Sequence, residues 1–182
     1  MRIISGKYAK RNLFTLKSRK TRPTSDKVKE SLFNSLGQFF NGGEVLDLYA
    51  GSGALGIEAV SRGYSHATLV DINYAAVEII KKNVALTKEE DKFSVFKMPS
   101  KVALKKFAES GKKFDLVFLD PPYAKQKMKS DMIEMLNNNL LNERAIVVAE
   151  TDDQTILPEI AGFTLIKDHH LGKTIVRIYR KD

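Results

Sequence analysis

Short apolar runs alternate along the chain with longer stretches in which apolar residues recur every three or four positions, a pattern that predicts alternating strands and helices. Runs at 45–49, 67–70, 93–97, 114–119 and 145–149 read as strands. A first helix is expected to be capped by Thr24 or Ser25 and to run to about Leu36, with Val28, Leu32 and Leu36 on one face and Asp26 at its positive end. Others are expected over 54–62, stopped by Gly63; from a cap at Asn73 to about Leu86; from a cap at Ser100 to about Ser110; and over 127–141, where Met132, Leu136 and Leu140 share a face. Segments 163–167 and 174–180 read as strands joined by a turn containing Gly172, so the sheet should finish in an antiparallel hairpin. With no internal repeat or Pro/Gly-rich linker, the chain from about Gly43 onward reads as one α/β domain.

Composition narrows the class. A chain of 182 residues with 43% hydrophobic content can bury a sizeable core, and no run approaches the roughly 18 apolar residues of a membrane span. The N-terminus lacks a continuous apolar segment and a small-residue cleavage site, so no secretory signal is expected and the cytoplasm is the default. Without cysteine there are no disulfides, thiolate zinc sites or cysteine nucleophile, and the last excludes cytosine-C5 methylation. His169 and His170 read as surface residues beside a hairpin turn, and no metal site is expected.

Charge is uneven. The net charge is +8, and residues 1–22 hold Arg2, Lys7, Lys10, Arg11, Lys17, Arg19, Lys20 and Arg22 without one acid. Ile3, Ile4, Tyr8, Leu13, Phe14 and Leu16 lie among them, which predicts a short basic β extension or hairpin over 1–22 ahead of a main domain over 23–182. An acid-free surface of this kind suits nucleic-acid phosphates, with binding that weakens steeply in salt.

Two segments carry chemistry. Residues 46–58 run from an apolar strand through Gly51-Ser52-Gly53 into a helix, and Gly51, Gly53 and Gly56 have the G-x-G-x-x-G spacing of a nucleotide-cofactor loop. Asp71 lies at the end of the next strand, where a carboxylate can hold ribose hydroxyls. Spacing alone would admit NAD; Asp47, expected at the loop mouth, would repel a pyrophosphate and favours S-adenosylmethionine, which carries an ammonium and a sulfonium. The strand at 114–119 ends in Asp120-Pro121-Pro122-Tyr123. Two prolines stiffen that loop and leave carbonyls as its backbone hydrogen-bonding groups. The Asp120 carboxylate and Pro121 carbonyl can accept both protons of an amino group, while Tyr123 offers a face for base stacking.

Asp-Pro-Pro-Tyr resembles the motif of methyltransferases that modify exocyclic amines, and a parallel sheet ending in a hairpin resembles the class I S-adenosylmethionine-dependent, Rossmann-like fold with its seven-stranded sheet. The opening Met-Arg-Ile-Ile-Ser-Gly-Lys-Tyr, residues 22–30 with Leu32-Phe33-Asn34, residues 46–59 and residues 120–123 together resemble the bacterial RsmD-type methyltransferases. That resemblance spans essentially the whole chain. It implies methylation of a guanine N2 amine in small-subunit (16S) ribosomal RNA, on an assembling or complete subunit. It also implies that Asp47, Gly51, Ser52 and Gly53 hold the methionine end of S-adenosylmethionine, and that Asp71 with Ile72 holds the ribose side. Asp120, Pro121 and Tyr123 would hold the guanine, and Arg22-Pro23-Thr24 would lie near cofactor or base. After strand three, Met98-Pro99-Ser100 stands where many relatives of the fold carry an acid or amide, leaving the Ser100 hydroxyl or backbone as the adenine contact. Arg2, Lys7, Lys10, Arg11, Arg19, Lys20, Arg22, Pro122 and Lys125 complete the expected RNA surface.

The chemistry expected is direct in-line transfer by a monomeric enzyme, with no covalent intermediate and no metal. Alternatives are methylation of adenine N6 in DNA or of a protein glutamine, a nicotinamide oxidoreductase, and a nucleic-acid-binding module without catalysis.

Overall fold

The structure is a computed structural model that describes residues 1–17, 25–121 and 124–182, with the side chains of 124–126 outside the description. Its elements are α1 (Asp26–Leu36), β1 (Glu44–Asp47), α2 (Ala54–Ser61), β2 (His66–Asp71), α3 (Tyr74–Ala85), β3 (Phe93–Lys97), α4 (Ser100–Glu109), β4 (Phe114–Leu119), α5 (Ala124–Asn137), β5 (Leu141–Asp152), β6 (Phe163–Leu171) and β7 (Thr174–Lys181), with a 3-10 turn at Glu90–Lys92 before β3. One seven-stranded sheet has the order β3-β2-β1-β4-β5-β7-β6. The first five strands pair in parallel, and β7 pairs antiparallel with both β5 and β6. This is the class I S-adenosylmethionine-dependent, Rossmann-like fold with its antiparallel C-terminal hairpin. Growth of the sheet reverses between β1 and β4, and in such sheets the crevice beyond the strand ends at the reversal is the place for a ligand.

Side chains alternate across the strands, so each parallel strand feeds two cores. Val45, Leu116, Phe118 and Val148 face the N-terminal segment, α1, α2 and α3, whereas Leu46, Val117, Val147 and Ala149 face α4 and α5. Met132 and Met135 are fully buried in the second core. Ser25 caps α1 by accepting from the Val28 N–H at 3.2 Å. No helix among the described residues is long and apolar enough to cross a membrane.

Residues 1–13 fold back on themselves through an Arg2–Asn12 antiparallel bridge, supported by Ile3 N–H to Arg11 C=O and Lys10 N–H to Ile3 C=O, both 2.9 Å. Ile3, Tyr8 and Leu13 are buried in the same core as α1 and α2. Gly6 lets this segment lie against α2: its φ is +86°, and a Cβ there would sit 1.9 Å from the Ser61 carbonyl oxygen.

Four details differ from the expected elements. Helix α5 lies ahead of its expected span, starting at Ala124 and stopping at Asn137, so about the last turn expected of it is absent: Asn139 takes φ +56°, and the amides of Asn139 and Leu140 return to Leu136 and Met135 carbonyls at 3.1 and 3.0 Å. Asparagine tolerates that left-handed turn, and Leu140 keeps the helical phase only by coincidence of its burial. Strand β5 begins earlier than expected because Arg144, at φ +58°, lies in an irregularity that shifts the register against β4 between Phe114 and Leu116. Strand β6 is longer because an edge strand accepts the polar run Lys167-Asp168-His169-His170, which places both histidines within the strand. Finally, Pro99 occupies the N-cap of α4 and Ser100 is its first helical residue, leaving the serine hydroxyl for another partner.

Candidate active site

The loop after β1 is held by backbone bonds to both neighbouring strands: Leu48 N–H to Phe118 C=O at 3.3 Å and Ala50 N–H to Val70 C=O at 2.8 Å. Gly53, at φ +80°, is the N-cap of α2, and its N–H closes the turn on Ala50 C=O at 2.7 Å. Gly51 has φ +58° and open space where a Cβ would stand, so a ligand can approach the backbone there. Asp71 ties this turn to the end of β2: one carboxylate oxygen accepts from Gly51 N–H and the other from Asn73 N–H, each at 2.9 Å. Asn73 in turn caps α3 through Ala75 N–H at 2.8 Å. Ile72, between them, is 66% exposed and forms an apolar surface beside the turn.

Asp47 lies deeper than its expected place at the loop mouth. It is 3% exposed and accepts from the Gly56 N–H at 3.3 Å, which ties β1 to the first turn of α2. Burial pushes its carboxyl up to about 7, with repulsion from Asp120, Asp71 and Glu150 adding and the Gly56 bond opposing. The residues β1, β2, β4 and β5 deliver to the crevice are therefore acidic. That donor set fits a ligand bearing an ammonium and a sulfonium, and opposes the pyrophosphate of NAD.

A stability consequence follows for Asp47. The folded protein binds a proton at this site up to about pH 7 while the unfolded chain releases it near 4, so stability falls as pH rises through that window. Asp47→Asn keeps an acceptor for Gly56 N–H and removes the buried charge. The variant is expected to unfold at a higher temperature than wild type at pH 8 yet to match it near pH 4, and to bind S-adenosylmethionine about tenfold more weakly for want of a charged acceptor. Thermal scans across pH together with titration calorimetry check both halves.

Asp120 follows β4, beside β1 and β5, and Pro121 after it is buried. The Asp120 residue is exposed to solvent, yet its carboxyl is crowded by protein atoms, and that burial with repulsion from Glu150 pushes it up to about 7. A carboxylate poised near neutrality is matched to proton acceptance at physiological pH. Pro122 and Tyr123 of the same loop lie outside the described residues, as do Arg19, Lys20 and Arg22 of the basic segment and Pro23 and Thr24. The side chain of Lys125 does too.

Three side chains that pattern reading did not join meet beside the glycine loop. The Tyr49 hydroxyl, in the glycine loop, donates to the Asp131 carboxyl on α5 and lies 3.0 Å from Ser100 Oγ at the start of α4. Asp131 is 2% exposed, and burial raises its carboxyl. Tyr49 is likewise raised, by burial and by its bond to Asp131. The cluster joins the loop after β1, the start of α4 after β3, and the helix that follows the Asp120 loop. Its sequence signal was weak: an Asp at 131 amid a basic, amphipathic helix start reads as a solvated charge.

Two cations of the N-terminal segment, Lys7 and Arg11, lie away from the crevice. Lys7 pairs with Glu89, and Arg11 bonds the Thr87 carbonyl at 3.4 Å while stacking over Tyr8. Those partners sit past the C-terminal end of α3, whereas the crevice borders its N-terminal end. Arg2 is 3.9 Å from Asp26, and Lys10 is exposed in a left-handed turn at φ +70°.

Comparison with known proteins agrees with this layout. The family described as Conserved hypothetical protein 95 matches residues 1–180. The Bacillus subtilis protein named "Putative rRNA methyltransferase YlbH" is 41% identical over 182 residues, covering 100% of this chain and 99% of the relative. A Haemophilus influenzae protein named "Ribosomal RNA small subunit methyltransferase D" is 33% identical, covering 99% of this chain and 93% of its own length. A solved Escherichia coli structure named "Putative methyltransferase yhhF" matches with a TM-score of 0.87 at 29% identity, covering 100% of this chain and 98% of the other.

Proposed function

The chain belongs to the family described as Conserved hypothetical protein 95, the RsmD-like family its motifs resemble, and from that premise we propose that it methylates the exocyclic N2 amine of a guanine in small-subunit (16S) ribosomal RNA. The observation that carries the reading is that Asp47, Asp71 and Asp120 gather at the strand ends at the sheet's reversal, an acidic crevice beside the Asp120-Pro121 loop that we propose accepts the amine.

When bound, S-adenosylmethionine would supply an electrophilic methyl carbon whose bond to the sulfonium sulfur breaks as the new N–C bond forms, so that sulfur leaves as the neutral thioether of S-adenosylhomocysteine. Asp47 with the Gly51-Ser52-Gly53 turn would hold the methionine end, Asp71 and Ile72 the ribose side, and Ser100 the adenine side. Asp120 and the Pro121 carbonyl would accept the two N–H bonds of the guanine amine, and Tyr123 would stack on the base. The amine is a poor nucleophile because its lone pair is delocalised into the ring, so orientation supplies much of the acceleration. As the amine attacks in line it gains positive charge, and the fixed acceptors stabilise that charge more than they stabilise the neutral ground state. The Asp120 carboxylate then takes the proton. No covalent enzyme intermediate is required.

Arg19, Lys20, Arg22, Pro122 and Lys125 would face RNA near the crevice, with Arg2, Lys7, Lys10 and Arg11 of the 1–22 extension contacting phosphates farther out, ahead of the 23–182 catalytic unit. The reading includes a cytoplasmic monomer acting on an assembling or complete small subunit, whose exposed RNA loops spare the cost of unstacking a paired base. Tritium transfer from labelled S-adenosylmethionine to small subunits from a strain lacking its own copy, followed by nucleoside chromatography, tests it. Label is expected in N2-methylguanosine; label confined to DNA or to protein glutamine would overturn the substrate.

A further inference from the structure

Asn83 is fully buried on α3, among Ala76, Val77, Ile80 and Val84. An amide on an apolar face is costly unless its donors and acceptor are all used. They are used on two different segments. Its Oδ1 accepts the Phe14 N–H at 2.8 Å, and its Nδ2 donates to the Phe14 carbonyl at 2.9 Å and to the Ser52 carbonyl at 2.8 Å. Phe14 itself turns its ring outward, 53% exposed, so the amide grips that residue by its backbone as a neighbouring strand would. Ser52 is the middle residue of the glycine turn, and Phe14 stands just ahead of the cationic run that begins at Lys17.

From this geometry we propose that Asn83 is a positioning residue that couples docking of the basic N-terminal arm to the shape of the cofactor loop. The proposal rests on the methyltransferase reading for its purpose, since an arm that engages RNA would then set the loop that holds the donor. One amide plane cannot follow Phe14 without carrying Nδ2 away from Ser52. A shift of the arm therefore loosens the turn, and ordering of the turn favours the docked arm to the same extent, because coupling between two sites is reciprocal. The residue type suits the task. Aspartate would set a charge against two carbonyls, leucine would leave three groups unpaired, and serine is too short to span both segments.

Hydrogen exchange on the full, ligand-free chain tests the coupling. Gly53 N–H is bonded to Ala50 C=O and Gly51 N–H to Asp71, so both amides report the closed turn. Phe14→Pro deletes the N–H that Asn83 accepts, on the arm and at an exposed side chain. It is expected to speed exchange at Gly51 and Gly53 by about tenfold or more, with Val117 in the central strand unchanged. Asn83→Leu should speed exchange both at the turn and over residues 10–14. Unchanged exchange at Gly51 and Gly53 in Phe14→Pro overturns the coupling, as does an Asn83→Leu protein that loosens the arm alone. If Asn83→Leu does not fold, Phe14→Pro still decides the matter. The exchange readout uses no substrate, so absence of RNA methylation would count against the proposed function and leave this inference standing.

Discussion

Asp120→Ala is expected to lower the methyl-transfer rate by about 10²–10³-fold, the range seen when a preorganised acceptor or donor is removed from a transition state, with S-adenosylmethionine affinity changed less than about threefold. The separation follows from position. Asp120 follows β4 with Pro121, on the side proposed for the guanine amine, while the turn at 51–53 is bonded to Asp71, on the side proposed for the methyl donor. Removing Asp120 also relieves its repulsion of Asp47, which favours the charged form of Asp47. The pH dependence carries a second signature. Crowding and Glu150 hold the Asp120 carboxyl up to about 7, and only its ionised form accepts a proton. The rate should therefore fall as pH drops through the neighbourhood of 7, and Asp120→Asn should flatten that limb as well as lower the plateau. Single-turnover rates across pH, with calorimetry for donor binding, check this. A variant with near-normal turnover would remove Asp120 from the chemistry.

Glu58→Ala is expected to destabilise the fold by about 3–5 kcal/mol, the cost of stranding buried charges, although Glu58 touches nothing in the crevice. Its carboxylate is fully buried and accepts from Ile4 N–H at 2.9 Å and Ser5 N–H at 3.1 Å. It also faces Lys29 Nζ at 3.3 Å and Arg62 Nε at 2.9 Å, both buried with it. Lys29 reaches the Arg2 carbonyl, and the Arg62 guanidinium lies 4.8 Å over the Phe33 ring. Truncation would leave two cations face to face and two amides unpaired, releasing residues 1–13 from α2 along with α1. Burial already lowers the Lys29 pKa, so without Glu58 that lysine would shed its proton before it tolerated the site. Glu58→Gln, which keeps one acceptor, should lose less. Urea unfolding of the three proteins gives the comparison, and exchange at the Ile4 and Ser5 amides shows whether the segment detaches. Loss would be expected to consume much of the roughly 5–15 kcal/mol available to a domain.

The glycine turn, Asp71 and Asp120 were legible in the chain because each depends on local order: an apolar run, a turn residue, and a carboxylate at the last position of a strand or just past it. The same holds for the Ser25 and Asn73 caps, whose bonds span three and two residues. Where an element's end depended on a neighbour, reading by pattern failed. Leu140 matches the spacing of Met132 and Leu136, yet it is buried from a turn beneath the sheet, and β5 starts one residue later. Strand β6 was expected over 163–167, and only its pairing with β7 carries it on through the polar Asp168, His169 and His170.

Residue types and their spacing along the chain determined the order of strands and helices, the acid-free N-terminal segment, and which side chains had the chemistry to serve a methyl donor and an amine. Tertiary structure decided which of these meet. Tyr49 reaches Asp131 across 82 positions, and Asn83 joins Phe14 and Ser52 across 69 and 31. It also decided that Asp47 is buried, that Asp120 feels the charge of Glu150, and that Glu58 serves as an anchor for the first residues. The reason is physical. Local propensities and periodicity act over a few residues and are written in consecutive letters, whereas burial, charge proximity and long-range hydrogen bonds are set by sheet register and helix packing, which exist only once the whole chain has closed on itself.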